Sequence, residues 1–235
     1  MTTPAARASL SHRYEDGIRL GTLLWRFGPG WRMISSAMLG GGIGPRAWVV
    51  NAQVPAGYGR MDPVDHLTSI GPPEGLGVGM LTAAPVARYV AAADGGAEAV
   101  ATVGLGVPTW AASPEGVPDP GDLFASGGGP GLPVPGSGAV RPGTINVVVA
   151  VPVAFCDAAL VNAVMTVTEA KTQALVEAGV PGTGTASDAV CVAVRDEGPE
   201  ELFGGPRSEW GARIARAVHR AVLDGALDWR RRASG

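Results

Sequence analysis

Lys171 is the only lysine in a chain whose 17 other basic residues are arginine. An ammonium supplies what a guanidinium cannot, a compact charge on a flexible stem that can also give up its proton. Lys171 lies in a stretch of helical periodicity, 154–178, with Val167, Thr168, Ala174 and Leu175 as its helical neighbours. Glu169 is two positions away and on a helix does not face it. In the same stretch Asn162, Thr166, Glu169 and Gln173 recur at spacings of four, three and four. They form one polar stripe on a helix whose first half is apolar on nearly every side and is therefore expected to be largely buried. A polar stripe on a buried helix needs partners or a wet cavity. Either Glu169 faces a polar site with Lys171 against apolar surroundings, or Lys171 extends outward along its stem and Glu169 is solvated.

Three strings of small and hydroxylated residues offer further chemistry: Ser35-Ser36 with Gly40-Gly41-Gly42, Gly143-Thr144-Ile145-Asn146, and Thr183-Gly184-Thr185-Ala186-Ser187-Asp188. Glycine lets backbone amides approach a ligand closely, and such strings can build an oxyanion or phosphate nest. Singly, each also fits an ordinary turn. No Gly-x-x-x-x-Gly-Lys occurs, and Pro45 stands where Gly40-x-Gly42 would need a third glycine, which disfavours P-loop and dinucleotide sites. Asp62, Asp65 and His66 are a partial metal set, but capping and solvating a short helix is the preferred reading, so no metal site is expected. His12 and His219 read as structural or exposed. Cys156 and Cys191 have neither metal-ligand nor redox spacing, which predicts two reduced thiols and a cytoplasmic protein.

These residues must be positioned by many short elements. Glycine and proline number 36 and 20 of 235 residues, yet 46% of the chain is apolar and the net charge is only −3, a balance that favours folding over disorder. Near-neutral charge gives no field to gather nucleic acid, no apolar run is long enough to span a bilayer, and residues 1–10 lack the apolar segment of a signal peptide. Residues 1–16 read as a loose polar start and 18–34 as a hairpin around Gly28-Pro29-Gly30. Strands are expected over 48–50, 78–81, 145–151 and 189–194, and a short helix over 62–70. Segments 86–92 and 98–103 flank Asp94-Gly95-Gly96 as a hairpin. A second long helix over 207–227, capped by Ser208, turns Trp210, Ile214, Val218 and Ala221 inward and carries Arg213, Arg216 and Arg220 as a solvated stripe. Residues 111–142, rich in Gly, Pro and Ser, are too long for an ordinary connection and read as an insertion or lid. The expected architecture is a mixed α/β, α+β-like layered single domain over 1–235, with mainly short, partly antiparallel strands and two long helices.

Taken in order, ISSAMLGGGIG (34–44), Asn51, GVGMLTAA (77–84), ATVGLGVP (101–108), GTINVVV (143–149), TEAKTQAL (168–175) and TGTASDAVCVA (183–193) resemble the adenosylcobinamide amidohydrolase family of corrinoid salvage. Gly40 stands where the family string has asparagine. The resemblance implies hydrolysis of the amide that joins aminopropanol to a corrin-ring propionate, yielding adenosylcobyric acid. It implies a corrinoid substrate that carries its own cobalt, with no further cofactor, and neither nucleic acid nor membrane as partner; a homo-oligomer stays open. Within it, Glu169 or Lys171 is the expected general base, Thr185 or Ser36 the nucleophile or water-positioning hydroxyl, and Asp188 the group that orients the amine. Ser35, Gly41, Gly42, Asn51, Thr82, Thr144, Asn146, Thr183 and Gly184 are the expected substrate contacts. Trp31, Trp48, Tyr58 and Trp110 are either platforms for the macrocycle or core residues. A corrinoid-binding module without catalysis, and an amidase for another substrate, are the alternative functions.

Overall fold

The computed structural model describes residues 8–117 and 143–233. Two sheets stack face to face, and helices cover the outer face of each. The first sheet has the order β1 (Ser9–Glu15), β2 (Ile18–Arg26), β5 (Trp48–Gln53), β6 (Gly77–Thr82), with only the β5–β6 pair parallel. The second has the order β4 (Gly42–Pro45), β3 (Trp31–Ser35), β12 (Ala189–Arg195), β10 (Thr144–Phe155), β8 (Ala97–Gly104), β7 (Val90–Asp94). Within it β10 and β12 are parallel and the other pairs on this path antiparallel. A small strand β13 (Glu200–Glu201) joins β10, and β9 (Pro108–Thr109) pairs with β11 (Gly184–Thr185) as a separate two-stranded flap. Helix α1 (Pro63–Ile70) covers the first sheet, while α2 (Asp157–Glu177) and α3 (Glu209–Ala233) cover the second. The expected mixed α/β layered domain with two long helices is what forms.

Period-two alternation sorts the strand residues between the layers. On β10, Ile145, Val147, Val149 and Val151 pack against α2 and α3, while Val148 faces the first sheet with Met33, Val49, Val78, Met80 and Cys191. From α3, Ile214, Val218 and Val222 are fully buried in the outer core, worth about 1.5–3 kcal/mol each as apolar burial. Ser208 accepts a hydrogen bond from Gly211 N at 3.1 Å, the expected cap.

Several expectations are corrected. Residues 9–15 are not loose: they form β1, joined to β2 across Asp16-Gly17, both with positive φ. The 18–34 hairpin does not form, because β2 and β3 enter different sheets and the Gly28-Pro29-Gly30 turn carries the chain from one to the other. Val86–Arg88 is a single 3₁₀ turn, not strand. β10 runs on past Pro152, tolerated because its pairing with β12 shifts register between Ala150 and Ala154. α2 buries one side only; Val161 and Met165 are half exposed or more. Arg213, Arg216 and Arg220 do line the outer side of α3, Arg216 and Arg220 exposed, but the stripe is also tied down: Arg216 grips Asp94 through two hydrogen bonds, and Arg213 and Arg220 donate to Gly95 O and Ala93 O. The predicted insertion over 111–142 lies outside the described residues from position 118 onward.

Candidate active site

The C-terminal ends of β3, β5, β6 and β8 meet the N-terminal ends of β10 and β12, and there the polar side chains collect. Asp188, just before β12, is the hub. Its Oδ2 accepts from Lys171 Nζ at 2.5 Å and from Thr185 N at 3.2 Å; its Oδ1 accepts from Thr185 Oγ1 at 2.5 Å and from Ile145 N at 2.9 Å. Four donors fill the carboxylate, so Asp188 is held as an acceptor in one orientation. The side chains of Lys171 and Asp188 are only 10% and 12% exposed. Burying such a pair costs desolvation that hydrogen bonding must offset, and on the carboxylate side the added contacts to Thr185 and Ile145 do so. An ammonium has three donors, and among the described residues Lys171 shows one partner, so two N–H groups remain for an incoming oxygen.

The backbone makes room for this hub. A Cβ on Gly184 would lie 2.4 Å from Asp188 Oδ2 and 2.6 Å from Lys171 Nζ, and one on Gly143 would lie 2.9 Å from Thr185 Cγ2. Thr183 serves the flap: its N donates to Thr109 O, its Oγ1 accepts from Ala111 N and its O accepts from Thr172 Oγ1. Beside the hub Thr144 Oγ1 and the exposed Ser187 Oγ lie 2.8 Å apart, and Ser187 also reaches Gly143 O. On the other side of β12, Ser36 is exposed and accepts from Val190 N at 3.0 Å, while buried Ser35 donates to Val190 O and accepts from Ala37 N.

Deeper between the sheets, Asn146 Nδ2 donates to Leu81 O and to Asn51 Oδ1, and Asn51 Nδ2 donates to Thr102 Oγ1. Thr82 Oγ1 accepts from Ala84 N. The strings 143–146, 168–175 and 183–188 therefore share one cluster, to which Ser35 and Ser36 attach through Val190. Gly41 lies on the exposed turn before β4, where Arg46 donates to its O, and the exposed Gly42 opens β4 opposite Ser35, so the two border the cluster through the β3–β4 ladder. Gly40 has φ +70° and a Cβ there would lie 2.0 Å from Gly77 O, so this turn has no room for a side chain. Glu169 is exposed on α2. The polar stripe above it splits: Thr166 donates to Gly204 O, while Gln173 donates to Glu177 at the surface.

Thr102 and Ser187 carry contacts that the sequence did not single out one by one. Thr102 is the only polar side chain in the strand Ala97–Gly104 besides Glu98, and that isolation was the available signal. Of the aromatic candidates, Trp48 is buried beneath α1 with its indole N–H on Glu74 O, Tyr58 stacks on His66, and Trp31 packs between Phe27 and Arg195. Trp110 is 45% exposed and directly follows the flap strand paired to Gly184 and Thr185. Asp62, Asp65 and His66 do not converge: Asp62 pairs with Arg60, Asp65 is exposed, and His66 bonds Glu15 and Tyr58. Among the described residues no three His, Cys, Asp or Glu side chains cluster to hold a metal. Two open surface hollows, of ≈ 400 and ≈ 580 Å³, are lined by Asn162 with 203 and 205–208 and by Arg195 with 29–30 and 197–198, and neither touches the hub.

Residues 7–234 match the family described as adenosylcobinamide amidohydrolase, a span that includes α3 as well as the polar strings. The chain belongs to the adenosylcobinamide amidohydrolase family. Two relatives bear that same name. One from Methanosarcina mazei is 35% identical over 94 residues, 36% of this chain and 47% of its own length. One from Halobacterium salinarum is 43% identical over 94 residues, 40% of this chain and 39% of its own. The matched stretch thus spans about half or less of each relative. No helix among the described residues is long and apolar enough to cross a membrane.

Proposed function

We propose that this member of the amidohydrolase family cleaves the amide linking aminopropanol to a corrin-ring propionate of adenosylcobinamide, releasing adenosylcobyric acid in corrinoid salvage. The reading rests chiefly on one observation: a buried Lys171–Asp188–Thr185 cluster, with two lysine N–H groups unspent among the described residues, in a chain of this family. Thr185 Oγ attacks the carbonyl carbon as its proton passes to Asp188 Oδ1, the atom to which it already donates. The two free N–H groups of Lys171 receive the oxyanion, in a shielded setting where such donors count most. The C–N bond then breaks, with Asp188 returning the proton to the leaving amine. Water hydrolyses the threonyl ester by the same route in reverse, giving the free acid. The proton path runs to Asp188 because Thr185 bonds Asp188 and not Lys171, so the lysine acts as cation rather than base.

Ser36 and Ser187, exposed beside the cluster, hold polar groups of the substrate, and Trp110 lies against the ring. Cobalt arrives with the substrate, and hydrolysis needs no resident cofactor; activity is expected to survive exhaustive chelation. Incubation with adenosylcobinamide, followed by chromatography of the corrinoid and assay of aminopropanol, tests the reading. Equal amounts of amine and adenosylcobyric acid support it. A spectral change without product would mark a binding module, and release of neither would exclude this substrate.

A further inference from the structure

The polar network between the sheets has a fixed direction. Leu81 O can only accept, so the Asn146 group 3.0 Å from it is the NH₂. The same NH₂ donates to Asn51 Oδ1, which turns the Asn51 NH₂ toward Thr102 Oγ1. Thr102 thereby accepts, and no acceptor for its own hydroxyl hydrogen is present among the described residues. At the other end Asn146 Oδ1 is buried with no hydrogen-bond partner among the described residues. Asn146 and Thr102 are directly opposed on β10 and β8, with their side chains on the same face; they are 1% and 2% exposed. One uncommitted acceptor and one uncommitted donor therefore sit on directly opposed residues of β10 and β8, shielded from bulk water. Thr144, one step nearer the strand end on the same face of β10, bonds the exposed Ser187.

A neighbouring donor and acceptor match a primary carboxamide, whose C=O and one N–H lie on the same edge. They do not match a trans secondary amide, whose C=O and N–H point oppositely, nor a carboxylate, which has no donor for Asn146 Oδ1. We infer that Asn146 Oδ1 and the Thr102 hydroxyl form a specificity site for a primary carboxamide side chain of the substrate, distinct from the amide being cut. This rests on the corrinoid reading above, since corrin rings carry primary acetamide and propionamide arms around their rim. Asn51 and Leu81 O are the positioning groups that fix the polarity of the site. Leaving such a buried pair unmatched is what rejects a wrong substrate.

The test compares adenosylcobinamide with its monocarboxylate derivatives, each having one peripheral carboxamide converted to the acid. Wild-type protein is expected to lose about tenfold or more in kcat/KM for one regioisomer and little for the others. Thr102→Val should lose comparably on the parent substrate, chiefly in KM, and no longer discriminate that regioisomer; Thr102→Ser, which keeps the hydroxyl, should restore both. Equal turnover of all derivatives by wild type, or unchanged discrimination in Thr102→Val, overturns the inference. So does an ordered water bridging Asn146 and Thr102 that persists in the substrate complex. Failure of wild type to cleave the parent substrate would instead remove the hydrolase reading, so the two failures are separable.

Discussion

At Asp188 one carboxylate organises three segments of chain, so its substitution strikes role and scaffold together. Asp188→Asn keeps the shape but turns part of an acceptor into a donor facing Lys171, Thr185 and Ile145 N. It should abolish turnover and also cost stability, as breaking a buried ion pair costs about 3–5 kcal/mol. Gly184→Ala is the sharper probe. Its Cβ would lie 2.4 Å from Asp188 Oδ2 and 2.6 Å from Lys171 Nζ, so the pair must part. The expected outcome is a loss of about 1–3 kcal/mol in denaturant unfolding together with a far larger loss of activity. Lys171 was visible in the sequence as the sole lysine, and Thr185 and Asp188 as a glycine-rich polar string. That Asp188 binds both was not visible, because their separation along the chain is closed by the turn 183–188 and by the backbone N–H of Ile145. Glu169 looked equivalent to Lys171 on paper. Helical phase separates them, turning Lys171 toward the sheet ends and leaving Glu169 in water.

Among the elements, α3 is tied down by ion pairs as well as by its apolar face. Arg88, in the 3₁₀ turn, grips Asp228 with two hydrogen bonds, and Arg232 adds a third. These cations hold the Asp228 carboxyl down at about 2. A depressed carboxylate contributes stability that is complete above its unfolded value of about 3.9 and is lost as pH falls through the folded value. Stability should therefore decline between about pH 4 and pH 2, and Arg88→Met should reduce the slope in that window when urea midpoints are measured across it. Helices and central strands were legible from periodicity. β1 was not: most of its residues are exposed and most are polar, with Leu10 and Tyr14 also facing solvent, as suits an edge strand, although Asp16-Gly17 carried a hairpin signal. The wrong hairpin over 18–34 followed a turn signal that was real. Gly28-Pro29-Gly30 does turn the chain, but the apolar residues Leu23 and Trp25 pack face to face with Met33 across the two sheets instead of pairing beside it.

For the whole molecule, two stacked sheets place Asn51 from one layer against Thr102 and Asn146 from the other, and α2 brings Lys171 to the same strand ends. No single segment holds the site, which is why strings that are weak alone gain meaning when taken together. α3 closes the outer core with Ile214, Ala217, Val218, Ala221 and Val222 fully buried, and the family match runs through it. A chain ending before Glu209 should expose that core and fail to give a cooperative unfolding transition by circular dichroism.

The most direct measurement is aminopropanol release from adenosylcobinamide by wild type, Thr185→Ser, Thr185→Ala and Lys171→Met under single-turnover conditions. Attack by Thr185 with Lys171 as oxyanion donor requires measurable cleavage by the serine variant and none by the alanine variant. It also requires about 10²–10³-fold slower cleavage by Lys171→Met with binding largely retained. Wild-type rates from folded Thr185→Ala or Lys171→Met protein would show that this cluster only braces the fold and that the bond is broken elsewhere.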